Sequence, residues 1–252
     1  EIKNRQAAEM REHHRNNVLE IIAKMLPLPS VLESIVNEVE EQNPSTLCSI
    51  LLLDNEGKSF SQVIAPSLPD FYNEAIKGVL IGRGVGSCGT AVYLKERVIV
   101  ENIATHPYWK AYKEVALRAG LQSCWSEPIL SSEGRVLGTF AIYHNVPQLP
   151  MKSDISLIEQ SANLASIAIE KSMVATKLRE SEELYRRLTE EVTDVIWRTD
   201  RNLNITYISP SDEKFRGYRA DEVIGHHIFE MFAPEGIAVM SEKIQQRHEA
   251  EQ

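Results

Sequence analysis

The stretch that decides the fold is GRGVGSCGTAVYLKERVIVENIATHPYWKAYKEVALRAGLQSCWSEPILSSEGRVLGTFAIY, residues 82–143. It opens with a glycine-rich turn, and an apolar run around 96–103 then predicts a strand. Aromatic residues at helical spacing predict a helix over 108–119, which Gly120 ends. Two further apolar runs on either side of the turn SSEGR predict a β-hairpin.

The chain upstream of this stretch adds a second hairpin and several helices. The apolar runs LCSILLLD and FSQVIA flank the turn NEGK, which predicts two paired strands. Helices are predicted over 1–26, over 30–41 with Ser30 as the N-cap, and over a short segment within 66–78. The whole is a central antiparallel sheet with helices on its faces, an α+β domain of roughly 150 residues.

Composition limits the classes of function. The chain has 252 residues, 43% of them apolar, and a formal net charge of −9. Because phosphate contacts need clustered Lys and Arg, this charge argues against nucleic acid as a partner. No run approaches the ~20 apolar residues that cross a bilayer, and the first residues have no signal-peptide pattern, so we expect a cytoplasmic protein. Three widely spaced cysteines, Cys48, Cys88 and Cys124, predict neither a disulfide framework nor a metal site.

A glycine motif inside the opening stretch resembles a nucleotide-binding loop. GVGSCG at 84–89 fits G-x-G-x-x-G, and Glu101 ends the next apolar run, where a dinucleotide fingerprint places an acidic residue. The predicted helix between them, over 90–95, is only about two turns long. Since a βαβ crossover needs roughly a dozen residues or more, the motif is better explained by glycines that let a short helix pack tightly on a sheet.

Two helices carry apolar stripes that extend beyond what one domain can cover. The first helix places Val18, Ile21 and Met25 on one face, beside a second apolar stripe. A long helix begins at Met151, with one face for the sheet and a heptad register on another. Because the register continues past the domain, it favours pairing with a second copy in a parallel dimer. The predicted dimer contacts on this helix are Leu157, Leu164, Ile167, Val174, Leu178, Tyr185, Leu188 and Val192.

The stretch GVGSCGTAVYLKERVIVENIATHPYWKAYKEVALRAGLQSCWSEPILSSEGRVLGTFAIYH resembles the core of a GAF domain, in the subgroup often attached to bacterial diguanylate cyclases, phosphodiesterases and histidine kinases. The resemblance covers about residues 18–172. It implies a twisted antiparallel sheet with a ligand pocket on one face and dimer-forming terminal helices on the other. The patterns of cyclic-nucleotide-binding and bilin-binding relatives are absent, so no ligand or cofactor is identified. The implied lining of the pocket is Cys88, Thr90, Trp109, Tyr112, Cys124, Trp125 and Tyr143.

Cys88 has two interpretations. It lies at the start of the predicted short helix, where backbone N–H groups stabilise a thiolate, and its position resembles a cysteine of GAF-type free methionine sulfoxide reductases. Those enzymes place a catalytic cysteine in the loop that here contains THPYWKAY, which has none. We therefore favour Cys88 and Cys124 as small buried apolar side chains and predict no catalytic residue. His106 and His144 could assist a thiol but are more simply polar residues at a turn and a strand end.

Downstream, DVIWRTDRNLNITYISPSDEKFRGYRADEVIGHHIFEMF resembles the first half of a PAS domain, over about 182–252. Its first part predicts a hairpin around the turn RNLN, followed by a short helix and a turn at Ala220 and Asp221. The later strands of that family are not matched, so we expect a partial domain. His226 and His227 are predicted to be turn residues rather than ligands.

Together these patterns predict the domain organisation. We expect a signalling helix at 1–17, a GAF sensor domain at 18–172, a coiled-coil linker at 173–193 that continues the last GAF helix, and a partial PAS domain at 182–252. The chain is then a regulatory segment of a bacterial signalling protein, for example in cyclic di-GMP signalling. A small molecule or redox event in the pocket would shift the dimeric helices and bias an output enzyme outside the chain. Two alternatives stay open: thiol-dependent reduction of a small sulfoxide at Cys88, and a ligand-free dimerisation spacer.

Overall fold

The computed structural model describes residues 26–190, 195–234, 236–239, 241 and 246. It divides into two compact units, with the boundary after Val174, and each is described by itself. The predicted first helix, with Val18, Ile21 and Met25, lies outside the described residues, and so does Val192 of the predicted dimer contact.

The first unit is built on a five-stranded antiparallel sheet. Its strands, in chain order, are β1 (Thr46–Leu53), β2 (Phe60–Ile64), β3 (Val98–Val100), β4 (Ser123–Leu130) and β5 (Val136–His144). Both predicted hairpins are present, which confirms the α+β class with a central antiparallel sheet. The spatial order is β2-β1-β5-β4-β3, so the second hairpin lies between the first hairpin and the short edge strand β3.

Among the described residues, five α-helices contribute to the first unit: α1 (Leu28–Gln42), α2 (Asp70–Ile76), α3 (Gly86–Leu94), α4 (Lys113–Arg118) and α5 (Lys152–Glu190), of which the part up to Val174 belongs to this unit. Helix α1 begins after Pro27 and has no side-chain cap, so Ser30 is an interior residue and its prediction as the N-cap was wrong. The single aromatic helix predicted over 108–119 is also broken. A 3-10 turn, Pro107–Trp109, precedes α4, and Tyr112 between them is the N-cap residue of α4, with φ −120° and ψ −4°.

Side chains of the strands alternate between the two faces of the sheet, and each face has its own core. On one face, hereafter the helix face, Ile50 and Phe140 pack with residues of α1 and α5. On the other, hereafter the pocket face, Leu51 and Ala141 pack with residues of α2, α3 and α4. Neighbouring residues of one strand therefore belong to different cores.

Helix α5 covers the helix face with its first half. Ile158 and Ala165 are buried in the core of that face. Arg97 joins sheet and helix, because its guanidinium pairs with Glu127 on β4 and, at 2.5 Å, with Glu159 on α5. None of the helices in the described residues combines the length and apolarity needed to span a bilayer.

The predicted dimer contacts on α5 fall into two groups. Leu157 and Leu164 are partly buried against the core of the helix face, so packing within the unit already accounts for much of their apolar surface. The side chain of Leu188 lies outside the described set. The other contacts are exposed: Ile167 (47%), Val174 (66%), Leu178 (60%) and Tyr185 (67%).

The second unit contains a small hairpin and short helices. The elements are β6 (Trp197–Thr199), β7 (Ile205–Ile208), α6 (Ser211–Arg216), α7 (Ala220–Val223) and a 3-10 turn (Ile228–Met231). The hairpin around RNLN was predicted, but the turn expected at Ala220 is instead the helix α7, since the backbone N–H of Arg219 donates to Glu222 Oε2 at 2.9 Å and caps it. The contacts of the two histidines are local: His226 pairs with Glu230 and His227 accepts from the N–H of Phe229.

Candidate functional site

A small cavity lies between the pocket face and the helices that cover it. Its volume is about 40 Å³. No residue that lines it in the described part of the chain carries a charge, and most of the lining is aliphatic or aromatic. The larger side chains and the thiol on its wall are Leu51, Phe60, Tyr72, Ile76, Val79, Val85, Cys88, Trp109, Tyr112, Val115 and Tyr143. The cavity is therefore suited to a small uncharged molecule.

The glycine motif brings the start of α3 against this cavity. Gly86 has φ +56°, and a Cβ there would lie 3.7 Å from the ring of Trp109. A Cβ on Gly89 would lie 2.8 Å from the side chain of Val85, which is closer than carbon atoms can approach. The strand that follows α3, β3, pairs antiparallel with β4. The motif therefore serves close packing, as predicted, and forms no parallel crossover of the dinucleotide-binding type.

Hydrogen bonds fix the position of α3 on the sheet. Ser87 donates to the carbonyl of Cys124 on β4 at 3.3 Å and accepts from the indole N–H of Trp109 at 3.0 Å. Thr90 accepts from the N–H of Gly84 and donates to the carbonyl of Gly86 at 2.6 Å. Thr90, which was predicted to line the pocket, therefore shapes the glycine loop and is not among the residues that line this cavity.

Cys88 lies at the centre of a buried polar cluster. It is the third residue of α3 and is 7% exposed. Its sulfur lies 3.6 Å from the hydroxyl of Tyr143, which shares a 3.1 Å hydrogen bond with the hydroxyl of Ser49. Tyr72 stands edge-on to Tyr143, with 6.2 Å between ring centroids. The cluster lies within the otherwise apolar core of the pocket face.

The two thiols of the pocket face influence each other's ionisation. A hydrogen bond from the Cys124 thiol lowers the pKa of Cys88 to about 7; the hydroxyls of Ser126, Tyr143 and Thr139 act in the same direction, and together these contacts outweigh burial. Burial, followed by the interaction with Cys88, raises the pKa of Cys124. Cys88 is therefore the thiol that ionises first, and a thiolate is the nucleophilic form of cysteine.

Two further hydroxyls near Cys88 have no hydrogen-bond partner among the described residues. They are Ser126 Oγ and Thr139 Oγ1, and both residues are fully buried. A buried hydroxyl without a partner costs about 1–3 kcal/mol, which sequences usually avoid. Both hydroxyls lie near enough to Cys88 to stabilise its thiolate. The two hydroxyls are therefore placed where they can stabilise a negative charge on the sulfur of Cys88.

Trp125 was predicted to line the pocket, and the structure contradicts this. Its side chain belongs to the core of the helix face and donates to the carbonyl of Gln148 at 3.2 Å. Its ring lies against that of His144, with centroids 4.4 Å apart and the planes tilted by 45°. The reason is the alternation of side chains along a strand, which places Trp125 and its neighbour Cys124 on opposite faces. His144 accompanies Trp125, so it does not assist the thiols. His106 accepts from the N–H of Tyr108 at the entry of the 3-10 turn.

The remaining predicted site residues meet on the pocket face. Cys88, Trp109, Tyr112 and Tyr143 line the cavity, while Cys124 belongs to the same core without lining the cavity. Sequence reasoning missed Ser126, Thr139, Phe60 and Tyr72. Strand alternation could have identified Ser126, two residues after Cys124 on β4, and Thr139, four residues before Tyr143 on β5. The sequence has no comparable signal for Phe60 and Tyr72. No cluster of three or more metal-ligating side chains occurs among the described residues.

The first unit is thus an antiparallel sheet with helices on both faces and a small, mostly apolar pocket beneath the helices of one face. Residues 26–170 match the family profile described as GAF domain, and the chain belongs to that family. Residues 183–252 match the profile described as PAS fold. Both predicted domain types are confirmed.

Known relatives agree with these matches. The chain is 35% identical over 247 residues to the methyl sulfide methyltransferase-associated sensor of Methanosarcina acetivorans, covering 97% of this chain but only 25% of that protein's length. A GAF domain from a Coxiella burnetii phosphoenolpyruvate-protein phosphotransferase is 15% identical, with a TM-score of 0.53 over 65% of this chain and 95% of that chain. The two family profiles and the Methanosarcina relative support a sensory role.

Two further solved structures share the fold at low identity. A domain of a putative two-component sensor histidine kinase from Sinorhizobium meliloti is 22% identical, with a TM-score of 0.50 over 61% of this chain and 98% of that chain. The free methionine-R-sulfoxide reductase of Neisseria meningitidis, in complex with its substrate, is 18% identical, with a TM-score of 0.50 over 64% of this chain and 89% of that chain. At this identity the likeness establishes the fold alone.

Proposed function

We propose that this chain is a cytoplasmic sensory segment of a signal-transduction protein, and that the cavity beside Cys88 is its input site. A small molecule or oxidant acts at this cavity, and the paired α5 helices pass the change to an output enzyme of the diguanylate cyclase, phosphodiesterase or histidine kinase kind outside the chain. The observation that carries the proposal is the uncharged cavity of about 40 Å³ that ends on a buried thiol. A stable core alone would gain from filling that space.

The chemistry of the cavity limits the ligand to small uncharged molecules. Burying a charge in such surroundings is unfavourable without a partner, and no residue of the described lining offers one. The name of the Methanosarcina relative associates that protein with a methyl sulfide methyltransferase. A methyl sulfide is a small, uncharged thioether, so dimethyl sulfide is a suitable first probe for this cavity.

The relay rests on the exposed apolar side chains of α5. Val174 and Leu178 are more than half exposed and four residues apart, which places them on one side of the helix. Pairing with the same side chains of a second copy would remove them from water, at roughly 25 cal/mol for each Å² of apolar area. A ligand then acts on the output only if it binds one arrangement of the paired helices more tightly than another.

Pairing through α5 is tested by placing a charge on the contact. We expect Leu178→Glu to shift the chain from dimer to monomer in sedimentation velocity experiments, because a carboxylate would be buried between the helices. Thr176→Glu is the matched control, since it adds the same charge at an exposed position off the contact and should leave the dimer intact. Equal behaviour of the two variants would refute pairing through this face.

The relay itself is tested by distances between the two copies. Spin labels attached at position 177 through a non-thiol chemistry leave all three cysteines native. We expect dimethyl sulfide or hydrogen peroxide to change the label-to-label distance distribution. If neither compound changes it in the intact dimer, the relay mechanism is excluded, and a ligand-free spacer becomes the better description.

Thiol-dependent reduction of a small sulfoxide is the second candidate function. Two neighbouring thiols with opposite pKa shifts favour it, since one can attack and the other can resolve. The uncharged lining opposes a free amino acid as substrate, because its ammonium and carboxylate groups would lose water without gaining partners. Turnover of methionine sulfoxide with a dithiol reductant, lost in Cys88→Ser, would support this function; absence of turnover in the native chain would exclude it.

A further inference from the structure

We infer that Cys88 is an oxidation site for a small hydroperoxide and that Cys124 is the thiol that resolves the oxidised product into a disulfide. This inference rests on the proposed input site and names the chemistry that acts there. The three features that carry it are the access to Cys88, the hydroxyls around its sulfur and the thiol beside it.

Access to Cys88 is provided by the cavity. Cys88 lines it together with Gly86 and Ser87, although the residue as a whole is 7% exposed. A cavity needs roughly 10–15 Å³, measured this way, to hold one water molecule. At about 40 Å³ the space has room for hydrogen peroxide or a similarly small hydroperoxide, and excludes a bulky oxidant.

The surrounding hydroxyls suit the ionised and the oxidised forms of the sulfur. The hydroxyl of Tyr143 lies 3.6 Å from the sulfur, and Ser126 and Thr139 hold two buried hydroxyls without a partner among the described residues. A neutral thiol is a weak acceptor and uses these donors poorly. A thiolate, or the oxygen of a sulfenic acid, accepts from them strongly. Three buried donors facing one cysteine are thus explained by a change in its chemical state.

The reaction proceeds in two balanced steps. The Cys88 thiolate attacks one oxygen of the hydroperoxide; an S–O bond forms, the O–O bond breaks, and the departing alkoxide or hydroxide takes up a proton to leave as alcohol or water. Sulfur is oxidised by two electrons, which the peroxide accepts. The sulfur of Cys124 then attacks that of the sulfenic acid; an S–S bond forms, the S–O bond breaks, and the hydroxyl leaves as water with the proton of the Cys124 thiol.

Cys48 provides an internal control. It is buried on the helix face of the same sheet, where its pKa is raised by burial and by the charge of Glu40. Unlike Cys88, it lines no part of the cavity described above. Oxidation that depends only on the presence of a buried thiol would affect Cys48 and Cys88 alike, whereas the inferred site predicts reaction at Cys88 alone.

The test exposes the folded full chain to hydrogen peroxide at neutral pH and stops the reaction in denaturant that contains dimedone. We expect the native chain and Cys48→Ser to lose two mass units, with Cys88 and Cys124 linked in the peptide map. We expect Cys124→Ser to carry a dimedone adduct at Cys88 instead, and Cys88→Ser to show neither product. Cys88 should react at least about tenfold faster than Cys48, because it holds more thiolate.

Reaction at Cys48 and Cys88 at equal rates, or no product at Cys88, would overturn the inference. Tyr143→Phe adds an independent measurement: removing its hydroxyl should slow oxidation of Cys88 several-fold while Cys88 and Cys124 remain in place, and an unchanged rate would contradict the role given to the hydroxyls. Both measurements report only the products and the oxidation rates of the cysteines, so they do not depend on the helix relay. If Cys88 is oxidised but the distances between the helices do not change, the relay of the proposed function is refuted, whereas the oxidation site inferred here is supported.

Discussion

The two faces of the GAF sheet differ in chemistry although the same strands build both. The helix face places Ile50, Phe140 and Trp125 in a core that also contains residues of α1 and α5. The pocket face, one residue along each strand, mixes apolar side chains with thiols, hydroxyls and a cavity. Because side chains alternate along each strand, neighbouring residues have different roles. Substitutions on the helix face should mainly change the stability of the fold, whereas substitutions on the pocket face should mainly change the reactivity of the site.

The cysteines show this difference within a single residue type. Cys48 on the helix face and Cys124 on the pocket face are both fully buried. The backbone N–H of Cys48 donates to the carboxylate of Glu40 at 2.7 Å, so a negative charge lies near its thiol. Cys88 faces neutral donors instead. Burial raises the pKa of all three thiols, and only at Cys88 do the surrounding hydrogen bonds outweigh it.

The largest effect is expected from Trp125→Ala on the helix face. Trp125 is 2% exposed, and truncating a buried Trp leaves a cavity that costs about 3–5 kcal/mol of unfolding free energy. Urea unfolding of the full chain, followed by circular dichroism, measures the loss. The control is Leu130→Ala on the same strand, which is 41% exposed and should cost about 1 kcal/mol or less. Equal losses would mean that the assignment of Trp125 to the core is wrong.

Next in size is the difference in reactivity between Cys88 and Cys48. The pKa of Cys88 is lowered to about 7 and that of Cys48 is raised well above the usual 9.0, so at pH 8 the thiolate fractions differ by more than about tenfold. With a small thiol reagent, the rate at Cys88 should rise through pH 7 and level off, because deprotonation is then complete. The rate at Cys48 should still be rising at pH 9. Coincident pH profiles, read from peptide masses, would contradict the pKa shifts.

The sequence predicted the sheet but only part of the site. Alternating apolar runs and turn residues were sufficient for both hairpins, because strand pairing follows from local patterns. Trp125 was assigned to the pocket because the GAF resemblance implied it as a lining residue. The alternation of side chains along β4 instead places it on the helix face. The meeting of Cys88 with Cys124 depends on how α3 crosses β4, a contact between residues far apart in the chain. Such contacts are set by the tertiary fold and leave no local signal.

A moderate effect is expected where α3 approaches its own entry loop. Gly89→Ala would place a Cβ 2.8 Å from the side chain of Val85, and such overpacking costs about 1–3 kcal/mol. The loss is measured by urea unfolding of the full chain. The double variant Val85→Gly, Gly89→Ala removes both the Cβ and the Cγ1 that the added methyl group would meet, and should recover most of the loss, judged against Val85→Gly alone. If the losses of the two single variants simply add, close packing is not the reason for glycine.

The smallest expected effect distinguishes the two faces most clearly. The same substitution, Thr to Val, should change the unfolding free energy in opposite directions on the two faces. Thr139 Oγ1 on the pocket face has no partner among the described residues, so Thr139→Val removes an unpaired buried hydroxyl and should raise the unfolding free energy by about 1 kcal/mol. Thr46 Oγ1 donates to the carbonyl of Asn43 at 2.7 Å, so Thr46→Val should lower it by about 1 kcal/mol. The two substitutions are chemically identical, and urea unfolding of the full chain compares them directly.

The gain in unfolding free energy expected for Thr139→Val should be accompanied by weaker ionisation of the Cys88 thiol. Because the Thr139 hydroxyl helps to lower the pKa of Cys88, its removal should move the pH profile of the Cys88 reaction upward, while Thr46→Val should leave that profile unchanged. A hydroxyl that destabilises the fold yet promotes ionisation is retained for chemistry, as is common at functional sites. If Thr139→Val is destabilising and leaves the profile of Cys88 unaltered, Thr139 is an ordinary core residue and the pocket face does not differ from the helix face in this respect.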